Sequence, residues 1–324
     1  MNEGRKDMDK KEVLAYVVKH KNLDIRLASR SGGIFTAVSD YILSKNGIIY
    51  GCALNEEFMA IHKRADSPAE RDEFRGSKYI QSRMGNIFEQ VKKDLQESKY
   101  VLFTGTSCQT EGLMKYLDVS SCDRSKLILM DIVCHGVPSP RVWKDYLEYV
   151  NRKHPGKIES VNFRNKLKYG WGDHVETVTI DGVDYDSKTY TRFFYDHNIL
   201  RPSCYQCPFK NVNHSSDITI ADCWGIDENM PEFTDNKGVS LVLVNTQTGK
   251  DIFSAVTSDI EFVQCDINDY LQPPLQHPYE KPKDREQFWK YYYTHKFESS
   301  IRRTLIMKVK KRIDKYLERI KHER

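Results

Sequence analysis

No stretch of this 324-residue chain is long and apolar enough to cross a bilayer, and its opening, Met1-Asn2-Glu3-Gly4-Arg5-Lys6-Asp7, has no apolar secretion segment behind it. A cytoplasmic location is therefore expected. Eight cysteines are too few for a disulfide scaffold in a chain this long, and without a secretion signal they should stay reduced. Common catalytic signatures are missing as well: the sequence has no GxSxG elbow, no Walker A loop and no HExxH pair. It has no internal repeat and no low-complexity tract. Net charge is only +4, and residues 301–324 carry ten Lys/Arg against three Asp/Glu, leaving forty against forty-three elsewhere. The body is thus slightly acidic, and no nucleic-acid partner is expected.

What is present suits a globular protein: 39% hydrophobic and 30% charged residues, in a length that allows one large α/β domain or two smaller ones. Residues 1–25 are polar, with a short helical pattern around Val13-Leu14-Ala15-Tyr16-Val17-Val18, and read as an arm. A domain over 26–260 follows, with halves at 26–98 and 99–260. Residues 261–285 are expected to form a linker, rich in proline and charge over 271–285. A helical tail over 286–324 closes the chain. In that tail Ile301, Leu305, Ile306, Val309, Ile313, Leu317 and Ile320 share one helical face, with lysines and arginines on the other. Such a helix either caps its own domain or docks on an anionic membrane surface or an acidic partner.

The apolar runs ending at Cys108 and Cys134 read as buried parallel strands joined by a helical crossover at 109–117, with a helix start at Ser139-Pro140 beyond the second. Residues 158–164 and 174–180 alternate like antiparallel strands, and Asp181-Gly182 signals a hairpin with a return strand from Val183. The expected fold class is α/β, with a mixed, largely parallel central sheet flanked by helices, an antiparallel hairpin insertion and a C-terminal helical tail.

The candidate chemistry centres on thiols. In Arg201-Pro202-Ser203-Cys204-Tyr205-Gln206-Cys207-Pro208 a turn aims two thiolates at one point, and the following proline stops the loop from continuing as a helix. Cys108 and Cys134 should emerge together at the carboxyl edge of the sheet, where open α/β sheets bind ligands. Four thiols from such scattered places suit an iron–sulfur cluster better than a zinc ribbon, although spacing also allows zinc. Cys122 and Cys265 read as bystanders and Cys52 as packing, while Cys223 is either a fifth sulfur or a buried thiol. Two further strings suit anions: Ser31-Gly32-Gly33 opens an amphipathic helix, and Ser77-Lys78-Tyr79-Ile80-Gln81-Ser82 is polar with one aromatic. By spacing alone, an ordinary N-cap at Ser31 and a solvated loop with one buried aromatic are the preferred readings of these two strings.

Taken together with Gly105-Thr106-Ser107-Cys108-Gln109, Cys134-His135-Gly136-Val137-Pro138-Ser139-Pro140 and Asp217-Ile218-Thr219-Ile220-Ala221-Asp222-Cys223-Trp224-Gly225, these strings resemble the coenzyme F420 hydrogenase/dehydrogenase beta-subunit family over about residues 26–260. The resemblance implies an oxidoreductase that binds FAD and a 4Fe-4S cluster and passes electrons between them, to or from a small-molecule acceptor. It implies Cys108, Cys134, Cys204 and Cys207 as cluster ligands, and Ser31, Gly32, Gly33, Ser77, Lys78, Tyr79, Gln81 and Ser82 as FAD contacts. Many members begin with a ferredoxin-like segment, yet no cysteine precedes Cys52 here, so a separate electron donor such as a ferredoxin is expected. Ser107 replaces a common proline and Cys223 a frequent aromatic. Members also occur among polysaccharide-biosynthesis functions, so the acceptor need not be a deazaflavin. The alternative from another class is a non-catalytic zinc- or cluster-stabilised module that docks on a polysaccharide-biosynthesis enzyme or a membrane.

Overall fold

Residues 13–295, 297–301 and 303 are described in the computed structural model. The strands in chain order are β1 (Leu14–His20), β2 (Ile48–Leu54), β3 (Ala60–Ala65), β4 (Val101–Thr106), β5 (Leu127–Ile132), β6 (Ile158–Asn162), β7 (Glu176–Ile180), β8 (Val183–Ser187), β9 (Ile218–Asp222), β10 (Ser240–Val244) and β11 (Ile260–Cys265). Eight of them form one sheet in the order β11-β1-β10-β9-β5-β4-β2-β3, and β6-β7-β8 form a second, antiparallel sheet. The central strands β9, β5, β4 and β2 run parallel, and antiparallel pairs flank them on both sides. The parallel strands β2, β4 and β5 begin as apolar runs, Ile48-Ile49-Tyr50, Val101-Leu102-Phe103 and Leu127-Ile128-Leu129-Met130, because both of their faces are covered there.

Helices cover those faces. Ile34–Ser44 and Gln247–Ala255 contribute Ile34, Val38, Ile42, Ile252 and Phe253 to one buried cluster with the sheet. Ile87–Gln96 and Ser107–Val119 contribute Val91, Leu95, Leu113 and Leu117 to a second. Pro140–Lys153, with the expected Ser139 and Pro140 at its start, packs Trp143, Tyr146 and Leu147 in a third cluster that includes Val178 and Ile180 of the small sheet.

Two expected boundaries move. Residues 14–20 are a strand inside the large sheet rather than part of an arm, with Val17 opposite both Leu241 and Val263. Buried on both faces, this run lacks the alternation that marks a half-exposed strand, so it resembles a helical pattern. The expected linker begins inside β11, and Tyr270 and Leu275 further along it are buried. Residues 285–295 are helical, and Tyr292, Phe297 and Ile301 join the third cluster. The remainder of the basic tail lies outside the described residues.

Strand register sets the functional edge. Thr106 of β4 is level with Ile132 of β5, and Ile132 is level with Ile220 of β9. Two residues beyond these positions come Cys108, Cys134 and Asp222, all at the carboxyl ends of parallel strands. That is the edge where such sheets hold ligands.

Candidate functional site

Cys108 and Cys134 sit at this edge, and the loop that carries Cys204 and Cys207 is packed beside the Cys134 loop. The Cys134 loop and the Cys204 loop are stitched together by a bridge between Pro138 and Leu200, and by the Arg201 amide donating to Val137 O at 2.9 Å. A Cβ on Gly136 would stand 2.9 Å from Leu200 and 3.6 Å from Cβ of Cys204, so glycine lets the two loops close. Lys210 Nζ donates to His135 O at 2.7 Å. Burial pushes the Cys134 thiol up to about 12, and the charges of Cys108 and Cys204 add to the rise. Cys204 is raised by burial first and by Cys207 and Cys108 after it. Burial lowers Lys210, while the charges of Cys134, Cys204 and Cys207 favour its ammonium. These couplings mean that all four sulfurs share one electrostatic neighbourhood. Among the described residues, no group of three or more His, Cys, Asp or Glu side chains closes up tightly enough to hold a metal ion by itself.

Beside the thiols opens a cavity of about 1290 Å³, whose lining includes Cys108 and Cys134. Ser31, Gly33, Ser77, Lys78, Tyr79, Gln81 and Ser82 also line it. Gly32 does not. Its amide donates to Ser240 Oγ at 2.9 Å, and a Cβ there would lie 2.1 Å from Val18 O, so this glycine serves close backbone contact with β1. Gly33 is the N-cap of Ile34–Ser44 with a φ of 95°, and no side chain caps that helix start. The free N–H groups and the positive end of the helix dipole favour an anion there. Lys78 Nζ donates to Glu73 O at 2.9 Å and Arg75 O at 2.8 Å, and burial pushes it down to about 8. The Gln81 amide donates to Pro138 O at 3.2 Å, tying this segment to the Cys134 loop.

The other cysteines sort by place. Cys52 lines the cavity near Lys78 rather than serving only as packing. Cys223 is fully buried, with Cys265 as the thiol that acts on it, so it belongs to the core and not to the group of four. Ser107 lies 3.3 Å from His214 Nδ1, which is 2.6 Å from Asp131 Oδ2.

One group escaped the sequence reading. Arg164 Nη1 donates to Asp222 Oδ2 at 2.6 Å, Trp171 Nε1 donates to Asp222 Oδ1 at 3.1 Å, and Arg30 Nε stands 4.0 Å from the same carboxylate. Burial would raise Asp222, but the charges of Arg164 and Arg30 reverse this and hold it below the usual carboxylate range. Arg164 lies over the Trp224 ring at 5.1 Å, and Trp171 stacks on Trp224 at 5.0 Å. Arg30, Arg164, Asp222 and Trp224 all line the cavity. The sequence signals were Arg30 directly before the Ser31 turn and the string that holds Asp222 and Trp224, while Arg164, two residues past β6, carried none. His135 sits with Nε2 2.9 Å from His197 Nε2 and its ring 4.5 Å from Phe194.

The family model for the C terminus of the coenzyme F420 hydrogenase/dehydrogenase beta subunit matches residues 98–269, just over half of the chain. A chain in a structure of the xenon-derivatised F420-reducing NiFe hydrogenase complex from Methanosarcina barkeri is similar with a TM-score of 0.55 and 17% identity, covering 77% of this chain and 81% of that one. At that identity the likeness is one of fold. No curated protein sequence matches. Among the described residues, no helix is long and apolar enough to cross a membrane.

Proposed function

Because the chain belongs to the coenzyme F420 hydrogenase/dehydrogenase beta-subunit family, we propose that it is an iron–sulfur flavoprotein oxidoreductase, with a 4Fe-4S cluster on Cys108, Cys134, Cys204 and Cys207 and FAD in the adjoining cavity. What supports this reading is that Cys108 and Cys134 stand two residues past level positions of neighbouring parallel strands and line one cavity with the uncapped helix start at Gly33, while the loop carrying Cys204 and Cys207 is bridged to the Cys134 loop. The donor set fits iron: it consists of sulfur, and Lys210 is the cation beside it.

When bound, the cluster would supply single electrons and the flavin would convert them to two-electron chemistry. The chain's own residues have separate tasks. The N–H groups at Gly33 and the hydroxyl of Ser77 suit the pyrophosphate of FAD, and Lys78 adds a positive charge, whereas the Ser31 hydroxyl already donates to Val239 O. Tyr79 and Phe194, stacked at 4.4 Å, give a flat apolar wall that excludes water. The donor in this reading is a separate protein such as a ferredoxin, and the acceptor a small molecule in the same cavity.

Anaerobic purification tests the reading. The protein should be brown-yellow, with bound iron, sulfide and FAD; colourless protein with stoichiometric zinc rejects it.

A further inference from the structure

The end of β4 sets a hydroxyl against the first candidate ligand. Thr106, the last residue of that strand, is the N-cap of the helix Ser107–Val119 and has extended backbone, with φ −80° and ψ 157°. It is paired with Ile132 of β5, so its place is fixed by the sheet. Thr106 Oγ1 lies 3.1 Å from Cys108 Sγ and 3.1 Å from Gln109 Oε1. The hydroxyl has one proton for these two acceptors. Gln109 Oε1 already accepts from the Thr106 amide at 2.9 Å, so turning the hydroxyl proton to sulfur leaves that oxygen with a partner. While Cys108 is a free thiol, either atom of the Thr106–Cys108 pair can donate. A metal-bound cysteine sulfur has lost its proton, and then the hydroxyl is the donor. Thr106 and Cys108 both line the large cavity.

We propose that Thr106 is a positioning residue that donates a hydrogen bond to the metal-bound sulfur of Cys108 and thereby raises the reduction potential of the cluster. This rests on the iron–sulfur reading. The step concerned is the passage of one electron from the separate donor protein to the cluster: the donor loses one electron, the cluster gains one, and no covalent bond is made or broken. The added negative charge spreads onto the ligand sulfurs, so a hydrogen bond to one of them stabilises the reduced form more than the oxidised form. Of the four candidate ligands Cys108 is the exposed one, while Cys134, Cys204 and Cys207 are partly buried. At Cys108, therefore, a hydroxyl held by the sheet supplies at a fixed distance what solvent would supply loosely.

The test is a redox titration of the anaerobically purified, iron-loaded full chain, followed by the electron paramagnetic resonance signal of the reduced cluster. Thr106→Val puts a methyl where the hydroxyl was, which also keeps water from taking its place. The midpoint potential of this variant should fall by about 59 mV, a tenfold shift in a one-electron equilibrium. Thr106→Ser keeps the hydroxyl and should return to the wild-type potential. Gln109→Leu loosens the same helix start but leaves the hydroxyl with sulfur alone of its two acceptors. Its iron-loaded fraction should titrate at or above the wild-type potential, which separates donation to sulfur from capping of the helix. An unchanged potential in iron-loaded Thr106→Val, or an equal fall in Thr106→Ser or Gln109→Leu, overturns the proposal. Where Thr106→Val takes up no iron, Thr106→Ala carries the same expectation. Wild-type protein that binds no iron rejects the iron–sulfur reading itself, an outcome distinct from a loaded variant with an unmoved potential.

Discussion

Gln109 Nε2 donates to Ser82 Oγ at 2.8 Å, joining the helix start that carries Cys108 to the far wall of the cavity. The Oε1 atom of the same side chain accepts from the Thr106 amide at 2.9 Å, which satisfies a backbone donor at the end of β4. Gln109→Leu removes both bonds and leaves the amide unpaired. It should cost about 1–2 kcal/mol in urea denaturation, and the same variant should lose part of its iron, measured per chain.

The thiols should divide cleanly on substitution. Cys204→Ser is expected to abolish the visible absorbance and bound iron while the far-ultraviolet circular dichroism of the fold persists. Cys223→Ala should keep iron and colour, because its thiol lies in the core with Cys265 and Tyr270, and should cost roughly 1–2 kcal/mol for the lost packing. Iron loss in the second variant, or retention in the first, contradicts the assignment.

Gly32 and Gly33 should fail for different reasons. A Cβ on Gly32 would meet Val18 O at 2.1 Å and Ser240 N at 2.6 Å, both backbone atoms. Gly32→Ala should therefore cost about 3 kcal/mol or more and shift β1 against β10. At Gly33 the φ of 95° is joined by a Cβ that would stand 2.9 Å from the His20 Cβ, a side-chain atom, and Gly33→Ala should cost about 1–2 kcal/mol. Denaturation midpoints of the two variants compare these costs directly.

Acid should weaken the fold through buried histidines. His62 is pushed down to about 4 by burial, with Lys78 adding to the fall and a contact between Nε2 and Thr104 O opposing it. The unfolded chain binds a proton near pH 6.5 and the folded chain only near 4. The contribution to stability is therefore fully present above 6.5, and it declines as pH falls towards 4. The loss from this one ring reaches about 3 kcal/mol at the acid limit. Urea titrations between pH 7 and 4.5 should show the decline, and His62→Gln should flatten it.

Much of the architecture was legible in local pattern. The apolar runs ending at Cys108 and Cys134, the Ser139-Pro140 helix start and the Asp181-Gly182 hairpin depend on neighbours in sequence, and each appears where its residues require it. The same holds for the turn with Cys204 and Cys207, because its shape is set by its own proline-flanked loop.

Other features had no local signal. The pairing of β1 between β10 and β11 is decided by strands more than two hundred residues away, and the run looks the same in isolation as a helical one. Arg30, Arg164 and Asp222 meet because separate segments end at one rim, and ion pairs across such distances leave no spacing to read. The sequence alone determined which side chains could hold a metal or an anion, since that follows from their chemistry. Which of them face the cavity was decided by the tertiary structure: strand register levels Cys108, Cys134 and Asp222, and close packing against Val18 turns Gly32 away from the cavity that Gly33 lines.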